Sequence, residues 1–224
     1  RTINPRLVYM AISGFGTEGP LRRAPAYDPI IQAHSGMAAT QGGDDSPAFI
    51  RSLLCDKITA YTASQAVTSA LFARERTGEG QLIDLSMLDS GLFFMFPDGF
   101  QNHALLDEDA IPGGMLIDIL YDLTLTKDGG ITIAAANQEM QGRMLKAIGL
   151  MHLLGDERFN TMKKLVENLQ IFRDLVAEKC LGYTSDELLT LLREVEVPCA
   201  KCLTRDEVLA QEQLSANDSI AEVD

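Results

Sequence analysis

Asp56 stands immediately before an apolar segment, 58–72, whose spacing is helical. An aspartate in that place fills a helix N-cap, its side-chain oxygen accepting a backbone N–H, and the helix dipole favours the negative charge there. Two other patterns invite a chemical reading. Gly14-Phe15-Gly16-Thr17-Glu18-Gly19 has the glycine spacing of a dinucleotide fingerprint and follows a strand-like run. That fingerprint needs its third glycine inside a starting helix, whereas Pro20, Arg22, Arg23 and Pro25 describe an extended loop, so the dinucleotide reading is rejected. Cys199-Ala200-Lys201-Cys202 is half of a zinc site or a redox pair, but no second CxxC exists and no histidine lies close in sequence. Ordinary reduced cysteines are the better reading, and no metal site is expected.

The elements that must position these residues follow from hydrophobic period and breakers. Residues 7–12 form an apolar run ended by Ser13-Gly14 and read as a buried strand. After the loop 14–26, Asp28 and Pro29 open a helix through Gln32 and His34, with Asp28 as its cap and Pro29 at its first position. Residues 41–49 are turn-rich. A long helix is predicted over 56–76, stopped by Thr77-Gly78-Glu79-Gly80 with Arg74 and Arg76 in its last turn. A strand over 82–85 and a helix over 86–96 complete a strand, helix, strand, helix order, which points to an α/β layered domain with a parallel sheet.

Between 98 and 115 the texture turns polar and glycine-containing, as in a linker. Residues 116–126 and 131–136 flank Lys127-Asp128-Gly129-Gly130 and read as a β-hairpin. Amphipathic helices are predicted at 138–148, 164–179 and 185–194, the last capped by Thr184 and Glu187. An extended stretch over 195–203 and a short helix over 204–210 follow.

The chain has 224 residues, 46% hydrophobic and 23% charged, enough to bury a sizeable core in one domain or two small ones. No apolar run is long enough to span a bilayer, and the first residues lack the apolar core of a secretory signal, so a cytoplasmic location is the expectation. The net charge of −13 opposes nucleic acid and anionic membrane surfaces as partners.

Five motifs occur in order along the first ninety residues: Asn4-Pro5-Arg6-Leu7-Val8-Tyr9, Ser13-Gly14-Phe15-Gly16 to Gly19-Pro20, Tyr27-Asp28, Asp56, and Arg74-Glu75-Arg76-Thr77-Gly78-Glu79-Gly80-Gln81. Together they resemble family III CoA-transferases of the CaiB/BaiF type, a group that also contains 2-methylacyl-CoA racemases. The resemblance implies part of a Rossmann-like large α/β domain with parallel strands at 1–100, a linker at 101–114, a smaller α+β domain at 115–190 and a return toward the large domain at 191–224. It also implies a fragment truncated at both ends, since relatives are about twice as long, and an interlocked homodimer when complete.

The resemblance places the nucleophilic aspartate at Asp56, which would carry CoA from an acyl-CoA thioester to a small carboxylic acid through a covalent aspartyl-CoA intermediate. Coenzyme A is then a substrate, and no permanently bound cofactor is expected. Tyr27 and Asp28 are assigned to the substrate, Gly113 and Gly114 to a glycine lid over the site, and Met87 to CoA packing. Because CoA is a polyanion, an acidic enzyme confines positive charge to a local pocket, to which Arg23 is assigned. Racemases of this fold place a histidine directly before the acidic residue where this chain has Tyr27, and His34 lies on the following helix, so transferase is favoured. The alternatives are a 2-methylacyl-CoA racemase, or a catalytically inert piece acting in binding or assembly.

Overall fold

The computed structural model describes residues 3–104, 106 and 121–221. The chain divides into two compact units, 1–115 and 116–224.

In the first unit, β1 (Tyr9–Ser13) pairs in parallel with β2 (Leu82–Ser86), from Tyr9 opposite Leu82 to Ser13 opposite Ser86. Parallel neighbours need a crossover, here α1 (Asp28–His34), α2 (Met37–Gly42) and α3 (Leu54–Thr77). The turn-rich reading of 41–49 did not anticipate α2, a single short piece that starts after Gly36 at φ 79° and carries Ala38 and Ala39. α3 has 24 residues, about 36 Å of helix. It stops at Gly78, whose φ of 77° and N–H to the Arg74 carbonyl make a left-handed cap. The Arg76 guanidinium lies 4.4 Å from the Phe72 ring centroid in the same turn. Ser86 caps α4 (Met87–Gly99) by accepting from the Asp89 N–H. That helix contains Pro97 and ends at Gly99, three residues beyond the expected 96. Ile31, Met37, Cys55, Ile58 and Met95 form the buried centre of this unit.

In the second unit, β3 (Asp122–Leu125), β4 (Gly130–Ile133) and β5 (Cys199–Lys201) form an antiparallel sheet in that order. α5 (Gln138–Ala147), α6 (Met162–Glu167), α7 (Leu169–Cys180) and α8 (Ser185–Glu194) belong to the same unit, with α9 (Arg205–Ala210) and α10 (Glu212–Ala216) after β5. Ile131, Ile148, Leu188 and Leu192 are fully enclosed, each contributing about 2 kcal/mol of apolar burial. The helix expected over 164–179 is two helices, because the Asn168 side chain donates to the carbonyls of Lys164 and Arg158 at 2.9 and 3.3 Å, competing with the backbone ladder. Residues 199–201, read as part of a return toward the large domain, pair with β4 inside the second unit. Of the expected linker, 101–104 form a 3-10 turn, while 105 and 107–114 lie outside the described residues. Among the described residues no helix is long and apolar enough to cross a membrane.

Candidate functional site

The loops leaving the carboxyl ends of parallel strands are where open α/β sheets hold their ligands. Here β1 ends at Ser13 and β2 at Ser86, and the residues just beyond them meet the start of α3. Phe15, Leu54, Met87 and Leu88 all pack on the cluster centred on Ile31 and Cys55. A Cβ at Gly91 would sit 3.5 Å from the Cys55 sulfur and 3.7 Å from Ile31, so α4 lies close against the first turn of α3 at that point.

Asp56 is the third residue of α3, not its cap; Leu53 flanks the helix and offers no side-chain bond. The carboxylate of Asp56 is exposed and takes no hydrogen bond among the described residues. Its backbone N–H, one of the unpartnered donors of a helix first turn, instead donates to Asp28 Oδ2 at 3.1 Å. Asp28 was expected to cap its own helix, yet it is the first residue of α1 and the helix it completes is α3.

Asp28 is 2% exposed, and its other oxygen accepts from Gln32 Nε2 at 2.6 Å. Gln32, equally buried, also donates to the carbonyls of Ile50 and Ser52 and accepts from the Ile50 N–H. The peptide that leads into α3 is thereby held from both sides. Beside it, Lys57 Nζ donates to Ser52 Oγ at 2.8 Å. Burial first, then the Asp28 and Asp56 carboxylates, push the Cys55 thiol up to about 11.

The remaining sequence-derived residues divide. Tyr27 flanks α1 and is 75% exposed, one residue from the buried Asp28. Asp28, assigned to the substrate, has both carboxylate oxygens engaged by protein groups. Met87 opens α4 half-buried on the central cluster. Arg23 is exposed on the loop between β1 and α1. His34, in the last turn of α1, is exposed with its ring edge-on to Phe15 at 5.0 Å. Gly113 and Gly114 lie outside the described residues.

The 14–26 loop contains turns and bends but no helix before Asp28, as its prolines indicate. Its glycines answer steric demands. A Cβ at Gly14 would fall on Ala26, and Gly16 has φ 95° with its N–H on Ser13 Oγ at 3.0 Å. Thr17 Oγ1 donates to Asp84 Oδ2 at 2.7 Å, tying the loop to β2. In the second unit, Cys199 is half-buried and Cys202 exposed, both as free thiols.

Sequence reasoning missed the Asp28 and Gln32 pair. A signal was present: an acid and an amide four apart share a helix face, and between them lie only Pro29, Ile30 and Ile31.

Comparison with known proteins gives this site a family. The family model described as CoA-transferase family III matches residues 1–224. A succinate–glutarate CoA-transferase of Agrobacterium fabrum is 29% identical over 219 residues, covering 96% of this chain and 54% of that protein. A succinyl-CoA–D-citramalate CoA-transferase of Chloroflexus aurantiacus is 30% identical, covering 97% and 55%. The crystal structure of a CAIB/BAIF family protein from Brucella suis aligns with a TM-score of 0.79 at 31% identity, over 96% of this chain and 57% of that one. The chain therefore spans about half the length of the curated relatives it matches. On the match along its whole length, with the parallel α/β architecture of its structural neighbours, this chain belongs to CoA-transferase family III.

Proposed function

We propose that the intact protein transfers CoA from an acyl-CoA thioester to a carboxylic acid, with Asp56 as the covalent acceptor. The observation that carries this reading is the Asp56 carboxylate itself: exposed, without a hydrogen bond among the described residues, on a first turn whose backbone is held from below. A structural cap would commit its oxygens to the helix, whereas a nucleophile must keep one free.

In this reading an Asp56 oxygen attacks the thioester carbonyl, the C–S bond breaks, and CoA leaves as thiolate, giving an acyl-aspartyl anhydride. The thiolate attacks the aspartyl carbonyl, the anhydride C–O bond breaks, and the donor acid departs as carboxylate. Asp56 then holds CoA as a thioester. The acceptor carboxylate attacks that thioester, expelling the thiolate, which takes the acyl carbonyl of the second anhydride and restores Asp56. Electron pairs balance with no net proton and no resident cofactor, because each step exchanges a carboxylate for a thiolate. The tetrahedral intermediates call for oxyanion donors, each worth about 3 kcal/mol in well-studied cases.

Tyr27, exposed beside α1, is assigned to the substrate, Arg23 and Met87 to CoA, and Gly113 and Gly114 to a lid. The relatives named for succinate, glutarate and citramalate make dicarboxylic acids the first acceptors to try. The test is CoA exchange by the intact protein between succinyl-CoA and a panel of carboxylic acids, with Asp56→Asn beside it. Transfer abolished by the substitution supports the reading. Transfer retained by Asp56→Asn, or solvent deuterium entering the α-carbon without transfer, contradicts it and turns the assignment toward racemase chemistry.

A further inference from the structure

We propose that Asp28 and Gln32 are positioning residues that set the place of the Asp56 carboxylate through the backbone, an inference that rests on the reading of Asp56 as the covalent acceptor. The first N–H groups of a helix have no partner within it, and a side chain of the preceding residues usually supplies one. Leu53 supplies none for α3. The acceptor comes instead from α1, where Asp28 Oδ2 takes the N–H of Asp56 itself at 3.1 Å. A carboxylate bound to a backbone N–H is a charge-assisted contact, stronger than a neutral one.

The contact is built to stay in place. Asp28 is buried, its second oxygen takes Gln32 Nε2 at 2.6 Å, and Gln32 grips the peptide entering α3 at Ile50 N, Ile50 O and Ser52 O. One pair of side chains thus fixes both the nitrogen of Asp56 and the chain that delivers it. Covalent catalysis demands this of its nucleophile, since a displacement of about 1 Å costs on the order of 100-fold in rate. The carboxylate is also specified in type. Both of its oxygens accept, and an amide at position 28 would turn an NH2 group toward either the Asp56 N–H or the Gln32 NH2.

The experiment uses the intact protein with succinyl-CoA as donor. It follows CoA-adduct formation on Asp56 by rapid-quench mass spectrometry and amide exchange at residue 56. Asp28→Asn is expected to stay folded, to slow the adduct at least ~10-fold with KM changed less than ~3-fold, and to speed exchange at the Asp56 amide. A second variant, Gln32→Met, leaves the Asp28 contact with the Asp56 N–H in place and removes the grip on Ile50 and Ser52. It is expected to slow the adduct and to speed exchange at the Asp56 amide in the same direction, and it carries the test where Asp28→Asn fails to fold. An adduct formed at wild-type rate per folded molecule of either variant overturns the proposal. A wild-type protein that forms no adduct contradicts the transferase reading separately. In that case unchanged exchange at Asp56 would overturn the bracket as well, and faster exchange would leave it standing as the support of the helix start.

Discussion

Cys55 and Asp56 are neighbours with opposite fates: the thiol faces the core of the first unit and the carboxylate faces outward. A helix turns about 100° per residue, so adjacent positions fall on different faces. Burial and two nearby carboxylates push the Cys55 thiol up to about 11, and burial alone does the same for Cys180. Both lie above the ordinary thiol value, so between about 9 and 11 the unfolded chain loses protons that the folded chain keeps. Stability from this source is fully present below pH 9 and lost as pH rises through 11, by at most about 3 kcal/mol per thiol. Thermal melts across that range are expected to show a falling midpoint, flattened when Cys55 is replaced by Ala. At pH 8 an alkylating reagent should modify the exposed Cys202 of the native protein and leave Cys55 and Cys180 untouched until denaturant is added. Native labelling of Cys55 would contradict the packing of α3 against α4.

At the scale of elements, the second unit hangs its hairpin on the start of α8. Asp128, in the hairpin turn, accepts the Ser185 N–H at 2.7 Å, and the buried Thr126 and Ser185 hydroxyls meet at 2.8 Å. The Ser185 N–H and hydroxyl hold the Asp128 carboxyl below its usual value, so this bracket is intact at neutral pH and weakens as acid protonates it. Next to it, Thr184 and Glu187 form a reciprocal capping box. Thr184→Ala is expected to lower unfolding stability by about 1 kcal/mol, read as a shifted urea midpoint at constant slope. A midpoint unchanged within error would mean the box contributes nothing.

The limits of α8 were legible because capping signature and apolar period agree locally, and the 127–130 turn was legible from its glycines. The start of α3 was not. Its partner, Asp28, comes from a different element, and no window around residues 53–56 contains that information. For the same reason Asp56 read as a cap, although its carboxylate is free of that duty. Asn168 splits a predicted helix through a carbonyl contact to Arg158 that only the folded chain supplies.

At the scale of the whole molecule, the first unit leaves Tyr9, Tyr61, Phe72, Leu82, Phe93 and Phe94 exposed, Phe93 by 83%. That is more large apolar side chain than a small soluble unit ordinarily leaves to water. The residues 1–224 by themselves are expected to bind a hydrophobic dye strongly and to aggregate at micromolar concentration, whereas the intact protein is expected to bind the dye weakly. Equal dye binding by both would show that the apolar face stays open and carries no assembly role. The net charge of −13 makes the local environment of Arg23 matter for a polyanionic substrate. Arg23→Glu is expected to raise KM for acyl-CoA with kcat little changed, and an unchanged KM would remove Arg23 from the CoA contacts.

The central claim is that Asp56 becomes covalently bonded to CoA during turnover. Intact-mass analysis of the full-length protein after brief incubation with succinyl-CoA, beside an Asp56→Ala control, tests it directly. The account predicts a mass increase equal to CoA less one water, located by peptide mapping to Asp56 and absent from the control. A folded wild-type protein that transfers CoA without any such adduct, or an adduct that persists in Asp56→Ala, would contradict it.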